Sequence, residues 1–245
     1  MRERAFVAGA SGVIGRALCR LMVADGWQVF GTTRSAEKVQ VLRELGVEPV
    51  VVDVYDAAKL RLAVCDARPS AVVHQLTALP DGLDPKQMAA ALERNARIRI
   101  EGTRNLVAAT VAARAPRLIA QSLAFVYAPG PRPYHEEAPL AVDDAAYGET
   151  ARAVASLEAQ VLEAPLKGIV LRYGKLYGPG TGFDAAPAGG PVHVEDAALA
   201  AYKALRCGAA GVYNIAENDG TVAIDKAAKL LGWTPTWRNG RRVST

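Results

Sequence analysis

Three glycines near the start of the chain constrain its fold more than any other feature. Ala5–Ala8 is a short apolar run that predicts a buried strand, and Gly9, Gly12 and Gly15 follow at three-residue spacing before a run of helix-forming residues. Such glycines allow a sharp turn, a close ligand approach and tight helix packing, and the helix start favours phosphates. The stretch therefore predicts a dinucleotide-binding turn rather than an ordinary structural turn. The predicted contacts are Gly9, Ser11, Gly12, Val13, Ile14 and Gly15.

Composition limits the classes of function. Hydrophobic residues make up 51% of 245 residues, which is enough for the core of one α/β domain. The net charge is only +4, so no nucleic-acid partner is expected. The basic residues Arg238, Arg241 and Arg242 are interpreted as a solvated tail.

The cysteines and apolar runs suggest where the chain works. Cys19, Cys65 and Cys207 are scattered without metal-ligand or disulfide spacing, which predicts no metal site and favours a reducing cytoplasm. No apolar run is long enough for a membrane span. Arg2 and Arg4 precede an apolar run, but its glycines favour a first strand over a signal peptide.

Alternating strand and helix patterns predict a doubly wound, Rossmann-type parallel sheet with helices on both faces. Residues 1–180 are predicted to form the dinucleotide-binding domain, and 181–245 a reduced substrate lobe interleaved with it in one compact unit. The further predicted strands are Gln28–Thr32, Pro49–Val52, Ala71–Gln75 and Arg117–Gln121. The predicted helices are Val13–Asp25, one from about Ala36, Ala57–Val64, and a long helix within Asp84–Ala113.

Several segments resemble the extended and atypical short-chain dehydrogenase/reductase family, whose members include epimerases and dehydratases that use a nicotinamide dinucleotide. The Gly-x-x-Gly-x-x-Gly spacing is typical of this family. Further segments that resemble it are His74–Ala78, Glu101–Leu106, Val170–Gly180, Val192–Asp196 and Leu231–Pro235.

The end of the second strand bears on which cofactor is used. NAD-preferring sites carry an acid there for the ribose hydroxyls, whereas this chain has Thr33, Arg34 and Ser35. Because the planar guanidinium of Arg34 can bind a 2′-phosphate, NADP is predicted, with NAD as the alternative. The other interpretation of Arg34 is an ordinary exposed arginine or one that stacks on adenine.

The resemblance implies further cofactor contacts at the ends of the next strands. Asp53 and the adjacent Val54 match the position beside the adenine, although Asp53 could instead cap the following helix. His74 is interpreted as a satisfied interior histidine. The remaining implied contacts are Leu76, Thr77 and Ala78, which pass the cofactor, and Tyr173 in the segment that runs past the nicotinamide.

The family's reacting residues are a Ser or Thr, a Tyr, and a Lys four residues later. The resemblance implies Tyr147 as the acid/base residue, but Ala151 stands at the lysine position. Lowering a tyrosine pKa from about 10 to about 7 requires roughly 4 kcal/mol, which a cation would normally help to supply. Lys175 is a candidate substitute at the nicotinamide ribose, or else a solvent-facing lysine. Ser122 falls one residue before the expected serine position, which Leu123 occupies.

A second departure lies on the long helix. The family commonly has an Asn three residues before the Gly of its Gly-Thr-x-Asn-Leu segment, near the active site. In this chain that position is Arg99, and Asn95 lies one helical turn earlier.

These observations favour an NAD(P)-dependent oxidoreductase or epimerase/dehydratase-like enzyme that acts on a small carbonyl or hydroxyl substrate. The degenerate Ser-Tyr-Lys set leaves a non-catalytic dinucleotide-binding sensor or scaffold as an alternative. A nucleotide-sugar epimerase is a third possibility, which the short linker Thr181–Pro191 disfavours. The resemblance also implies a homodimer through the Met88–Leu106 region and Ala153–Leu162.

Overall fold

A computed structural model describes residues 2–238 and 240–243. Its centre is a seven-stranded parallel sheet in the order β3-β2-β1-β4-β5-β6-β9, and two small sheets pair β7 with β8 and β10 with β11. The strands are β1 (Arg4–Ala8), β2 (Gln28–Thr33), β3 (Glu48–Val51), β4 (Ala71–His74), β5 (Arg117–Leu123), β6 (Lys167–Tyr173), β7 (Lys175–Tyr177), β8 (Pro191–His193), β9 (Gly211–Ile215), β10 (Trp237–Arg238) and β11 (Arg241–Arg242).

Helices cover both faces of the central sheet, because its inner strands are apolar on both sides. The helices are α1 (Val13–Ala24), α2 (Lys38–Glu44), α3 (Ala57–Ala67), α4 (Pro85–Arg97), α5 (Thr103–Ala112), α6 (Gly148–Leu162), α7 (Val194–Arg206) and α8 (Asp225–Leu231). Helices α1 and α7 pack on one face, and α3, α5 and α6 on the other. Within the described residues, none of these helices has the length and apolar character needed to cross a bilayer.

The predicted Rossmann-type sheet is confirmed, and most predicted element ends lie within one or two residues of the observed ends. Two differences affect the site. The predicted long helix is divided into α4 and α5 by a π-helical turn, Ile98–Gly102, which contains Arg99. The fifth strand continues to Leu123, so Ser122 lies inside β5 rather than in the loop after it.

The residues after 190 are joined tightly to the rest of the fold. β9 extends the central sheet beside β6, and the His193 side chain accepts a hydrogen bond from the Glu195 N–H at the start of α7. The buried Asp196 carboxylate accepts hydrogen bonds from the backbone N–H groups of Thr236 and Trp237, each at 2.9 Å. The C-terminal segment is thereby attached to the first turn of α7.

Candidate functional site

The glycine turn joins β1 to α1 and has the backbone shape expected for binding two phosphates. Gly9 has φ +89°, and a Cβ there would lie 2.5 Å from the Gln75 carbonyl oxygen. A Cβ on Gly15 would lie 2.1 Å from the Gly9 carbonyl oxygen, so both positions exclude larger residues. Gly12 is the N-cap of α1, which begins without a side-chain cap. The free amides of this helix start fit the pyrophosphate of a dinucleotide.

The loop after β7 lies against the start of α1 and borders the glycine turn. A Cβ built on Gly180 would be 3.6 Å from Arg16 Nη2 and 3.8 Å from Val13 Cγ1. Gly182 lies still closer to Leu83, since a Cβ there would be 2.9 Å from Leu83 Cγ. The short linker and the segment after β4 therefore meet at the edge of the phosphate-binding turn.

Arg34, just beyond the end of β2, is exposed, and the segment Thr33–Ser35 contains no carboxylate. The Thr33 hydroxyl accepts a hydrogen bond from the Ser35 N–H at 3.1 Å, which fixes the backbone around the exposed Arg34. Arg34 also acts electrostatically on the hydroxyl of Tyr55, whose pKa is nevertheless raised by burial. The guanidinium of Arg97 lies 3.9 Å over the Tyr55 ring, so this edge carries two arginines.

Asp53 is exposed just beyond β3, and the alternative interpretation of it as a helix cap is wrong. Its Oδ1 accepts a hydrogen bond from the Tyr55 N–H at 3.0 Å. The N-cap of α3 is Asp56, whose side chain accepts from the Lys59 N–H at 3.1 Å. Val54 is buried against α5, whose Asn105 side chain donates to the Val54 carbonyl oxygen at 2.9 Å.

His74 ends β4 as a fully buried residue with a partner for each ring nitrogen. Its Nε2 lies 3.0 Å from the Thr103 hydroxyl, and its Nδ1 accepts from the Leu76 N–H at 3.2 Å. Burial lowers the pKa of His74 to about 4, and the positive charge of Arg99 adds to this effect. The interpretation of His74 as a satisfied interior histidine is confirmed.

The segment Leu76–Ala78 is held in place by buried amide side chains at the carboxyl end of the sheet. Gln121 donates to the Leu76 carbonyl oxygen at 2.7 Å, and the Ala78 N–H donates to Asn95 Oδ1 at 3.0 Å. Thr77 lies between these two fixed positions. This segment follows Gln75, whose carbonyl touches the glycine turn, so it borders the site predicted for the cofactor.

Tyr173, at the end of β6, is buried beside the same segment. Its hydroxyl accepts a hydrogen bond from Gln75 Nε2 at 3.0 Å. Burial raises the pKa of Tyr173 far above its ordinary value, so this phenol is not prepared to lose a proton.

Ser122 contacts a buried ion pair. Its hydroxyl donates to Glu158 Oε1 at 2.6 Å, and Glu158 receives two hydrogen bonds from Arg172, at 2.6 and 2.8 Å. Arg172 also donates to the Tyr127 hydroxyl at 2.8 Å. The strand alternation that turns Leu123 to one side turns Ser122 towards α6, and this network then fixes its hydroxyl.

Tyr147 and Lys175 lie in different surroundings. Tyr147 immediately precedes α6 and is 53% exposed, while Ala151, one turn later, is fully buried against Val126 and Val154. Lys175 donates to the Ala188 carbonyl oxygen at 2.8 Å and so binds the linker. No hydrogen bond of the described residues connects Tyr147, Ser122 and Lys175 to one another.

Arg99 is buried and charged, whereas the sequence identified it only as a departure from the family pattern. The residue is 8% exposed, and its Nη1 has no hydrogen-bond partner within residues 2–238 and 240–243. Burial lowers its pKa to about 10. The four-residue spacing of Ala91, Asn95 and Arg99 on the buried side of this helix is the signal that could have placed it inside.

Comparison with known proteins agrees with this geometry. Residues 5–189 match the model of the NAD dependent epimerase/dehydratase family. A curated relative, the 3-diazoavenalumate denitrifying reductase of a Streptomyces species, is 41% identical over 95% of this chain and 79% of its own length.

Solved structures share the fold at low identity. The Bordetella bronchiseptica enzyme WbmG, solved with NAD, has a TM-score of 0.78 at 18% identity and covers 98% of this chain and 91% of its own. UDP-glucose 4-epimerase from Thermotoga maritima, solved with UDP-glucose, has a TM-score of 0.77 at 19% identity, over 96% of this chain and 94% of its own.

The family match spans the glycine turn, the central strands and helix α6. The relative that shares most of the chain's length is itself a reductase, as expected for nicotinamide-dependent chemistry. The chain is therefore a member of the NAD-dependent epimerase/dehydratase family, an oxidoreductase- or epimerase-like enzyme on a Rossmann-type fold.

Proposed function

We propose that this chain is a nicotinamide-dependent reductase that removes a diazo group from an organic carboxylate. The observation that carries the proposal is its 41% identity, over 95% of the chain, to a 3-diazoavenalumate denitrifying reductase. An identity of 41% over nearly the whole chain supports carrying the relative's reaction to this chain as a proposal.

The apolar face of α6 supports this chemistry. Reduction of a carbonyl creates an alkoxide that needs a proton donor, and a tyrosine donor is normally tuned by a nearby cation. Here Ala151 and Val154, both fully buried, occupy the side of α6 on which a lysine would be needed. A diazonium group carries a positive charge that hydride neutralises, so its reduction creates no oxyanion and requires no such donor.

For the cationic diazonium form of the diazo group, the net reaction balances without a further reactant. Reduced nicotinamide, when bound, supplies a hydride, which brings both electrons and the hydrogen. The carbon–nitrogen bond of the diazonium breaks, dinitrogen leaves, a carbon–hydrogen bond forms, and the positive charge passes from the substrate to the oxidised nicotinamide. The glycine turn would hold the phosphates of the cofactor, while Gln121 and Asn95 fix the backbone of Leu76–Ala78, which borders the predicted nicotinamide region.

We further propose NADP as the preferred cofactor and retain NAD as the alternative. Arg34 is exposed at the end of β2, and its backbone is fixed by Thr33 and Ser35. No carboxylate stands in this segment to repel a 2′-phosphate. The adenine would lie beside Asp53 and Val54.

We also propose that the protein forms a homodimer. A second proposal is that it works in a reducing cytoplasm. Leu92 and Ile100 are large apolar residues that remain exposed on α4 and the π-helical turn, in the region where the family resemblance implies a dimer. The three cysteines are free, which is compatible with a reducing compartment. Sedimentation of the wild type and of Ile100→Asp tests the dimer, and a monomeric wild type would contradict it.

The decisive assay supplies the purified protein with NADPH or NADH and 3-diazoavenalumate, and follows nicotinamide absorbance and dinitrogen release. We expect equal amounts of cofactor oxidised and dinitrogen formed. A carbonyl panel and UDP-glucose are run in parallel. Tight cofactor binding with no turnover of any substrate would favour the sensor, and turnover of UDP-glucose alone would favour the epimerase.

Tyr147→Phe tests the proposed chemistry separately. Loss of a required general acid typically lowers turnover by about 100-fold or more. Diazo removal is expected to retain most of its rate in Tyr147→Phe. A loss as large as that of a carbonyl reductase would contradict a reaction without a proton donor.

A further inference from the structure

Arg99 carries a buried charge that the described part of the protein does not neutralise. It is 8% exposed, its Nη1 lacks a hydrogen-bond partner, and no ion pair of the described residues includes it. The one perturbation of its pKa, a decrease to about 10, comes from burial with no opposing carboxylate. By contrast, the other buried arginine, Arg172, forms an ion pair with Glu158.

The neighbours of Arg99 place it at the carboxyl edge of β4. One turn before it, Asn95 holds the Ala78 N–H, and four residues after it, Thr103 contacts the His74 ring. Arg99 lies between these two anchor points and acts electrostatically on His74. Arg99 therefore lies on the side of the helix that contacts β4 and the Leu76–Ala78 segment, which borders the predicted nicotinamide region.

A buried guanidinium nitrogen without a partner is costly, because the N–H groups of Arg99 Nη1 have lost water without gaining an acceptor. Buried polar groups are normally satisfied, so the unpartnered Nη1 of Arg99 indicates a missing ligand atom. The local backbone is also unusual, since π-helical turns occur frequently at functional sites. These observations together point to an anion as the missing partner.

We infer that Arg99 is the anion-binding residue of the substrate pocket and that it takes the carboxylate of an organic acid. The planar fork of a guanidinium matches the two oxygens of a carboxylate. The pyrophosphate of the cofactor has its own place at the glycine turn, so it does not need Arg99. The inference rests on the proposed function for the choice of an organic acid as the occupant.

Binding of p-coumarate and of its neutral methyl ester to the NADPH-saturated protein tests the inference by calorimetry. The wild type should prefer the acid, and Arg99→Met should bind the acid roughly 10-fold or more weakly, as expected for loss of a charged hydrogen bond. Arg99→Lys should retain part of the preference. The control is Arg94→Met, an exposed arginine of the same helix, which should bind the acid like the wild type.

Several outcomes would overturn the inference. They are a wild type that does not bind the acid, an Arg99→Met protein that binds the acid as tightly as the wild type, and an Arg99→Met protein that loses NADPH affinity to the same degree. The last result would make Arg99 a cofactor contact.

Stability gives a second readout that does not depend on turnover. Because an unpaired buried charge does not stabilise the fold, Arg99→Met should keep or raise the urea midpoint of the ligand-free protein. A markedly lower midpoint would make Arg99 a structural residue and overturn the inference.

The two proposals fail separately. If acid binding depends on Arg99 but no dinitrogen is released, the proposed diazo reaction is contradicted and the proposed carboxylate site is supported. If dinitrogen is released and Arg99→Met does not slow its release, the diazo reaction is supported and the carboxylate site is contradicted.

Discussion

Gly15 makes the closest backbone approach of the glycine turn, because its missing Cβ would collide with main-chain atoms. That Cβ would lie 2.1 Å from the Gly9 carbonyl oxygen and 2.9 Å from the Ala10 carbonyl carbon. Neither atom can move without displacing the turn or the helix. The glycine spacing in the sequence therefore indicated a real steric requirement.

Gly15→Ala is expected to lower the free energy of unfolding by about 1–3 kcal/mol, the usual effect of overpacking, and to weaken NADPH binding. Urea unfolding and a fluorescence titration measure the two effects. Gly130→Ala is the control, since the nearest atom to a Cβ there is 3.6 Å away. Equal effects in both variants would contradict a special role for Gly15.

Arg34→Ala tests cofactor choice. If Arg34 binds a 2′-phosphate, its removal should weaken NADPH binding roughly 10-fold and change NADH binding little. Calorimetry with both dinucleotides measures this, with the exposed Arg43→Ala on α2 as control. Parallel losses for NADPH and NADH would instead favour stacking on the adenine.

Glu158→Gln tests the buried ion pair. Removing one partner leaves Arg172 charged and poorly satisfied, so we expect a loss of about 3–5 kcal/mol in urea unfolding. Glu101→Gln, which breaks the exposed pair with Arg97, should shift the urea midpoint far less. Similar shifts in the two variants would show that burial does not determine how much each ion pair stabilises the fold.

At the scale of elements, strands were easier to predict from the sequence than the long helix after β4. A run such as Ala71–Val73 is apolar and is bounded by polar residues, which is typical of a strand buried on both faces. The π-helical turn Ile98–Gly102 has no comparable signal in the sequence, because one extra residue in a turn hardly changes the spacing of apolar residues along a helix. The end of β5 was predicted two residues too early, because the polar pair Gln121 and Ser122 interrupts the apolar run, although Glu158 accepts a hydrogen bond from Ser122 inside the fold.

Asp196 connects α7 to the C-terminal segment, and Asp196→Ala is expected to destabilise the protein. The change leaves the partly buried N–H groups of Thr236 and Trp237 without acceptors, at up to about 1–3 kcal/mol each. Urea unfolding measures the loss. Asp225→Ala, at the exposed first turn of α8, is the matched control and should have a much smaller effect.

At the scale of the whole molecule, a buried neutral histidine couples stability to pH. The pKa of His74 is lowered from 6.5 to about 4, so the unfolded chain binds a proton that the folded chain does not. The stabilisation is complete above pH 6.5 and is lost as pH falls towards about 4, by roughly 3 kcal/mol at most.

Urea midpoints measured across this pH range test the coupling. His74→Gln should flatten the decline, and the exposed His135→Gln should not. A decline that persists unchanged in His74→Gln would assign the pH dependence to other groups.

The sequence predicted the architecture more fully than the site. Gly9, Gly12 and Gly15 are local in sequence, so their spacing alone implied the turn. The surroundings of Ser122 and Arg99 depend on residues brought together from β5, α6, β4 and the π-helical turn, and no local pattern encodes those meetings. The sequence could name Arg99 as unusual but could not show that its charge is buried without a partner.

The buried surroundings of Ala151 have a consequence for anyone redesigning this protein. The position is sealed by Val126 and Val154, and the nearby polar network is already committed to Glu158 and Arg172. The single substitution Ala151→Lys would bury an ammonium group among apolar side chains and would not produce a carbonyl reductase. A functional lysine there would require redesign of the whole side of α6 that faces Val126.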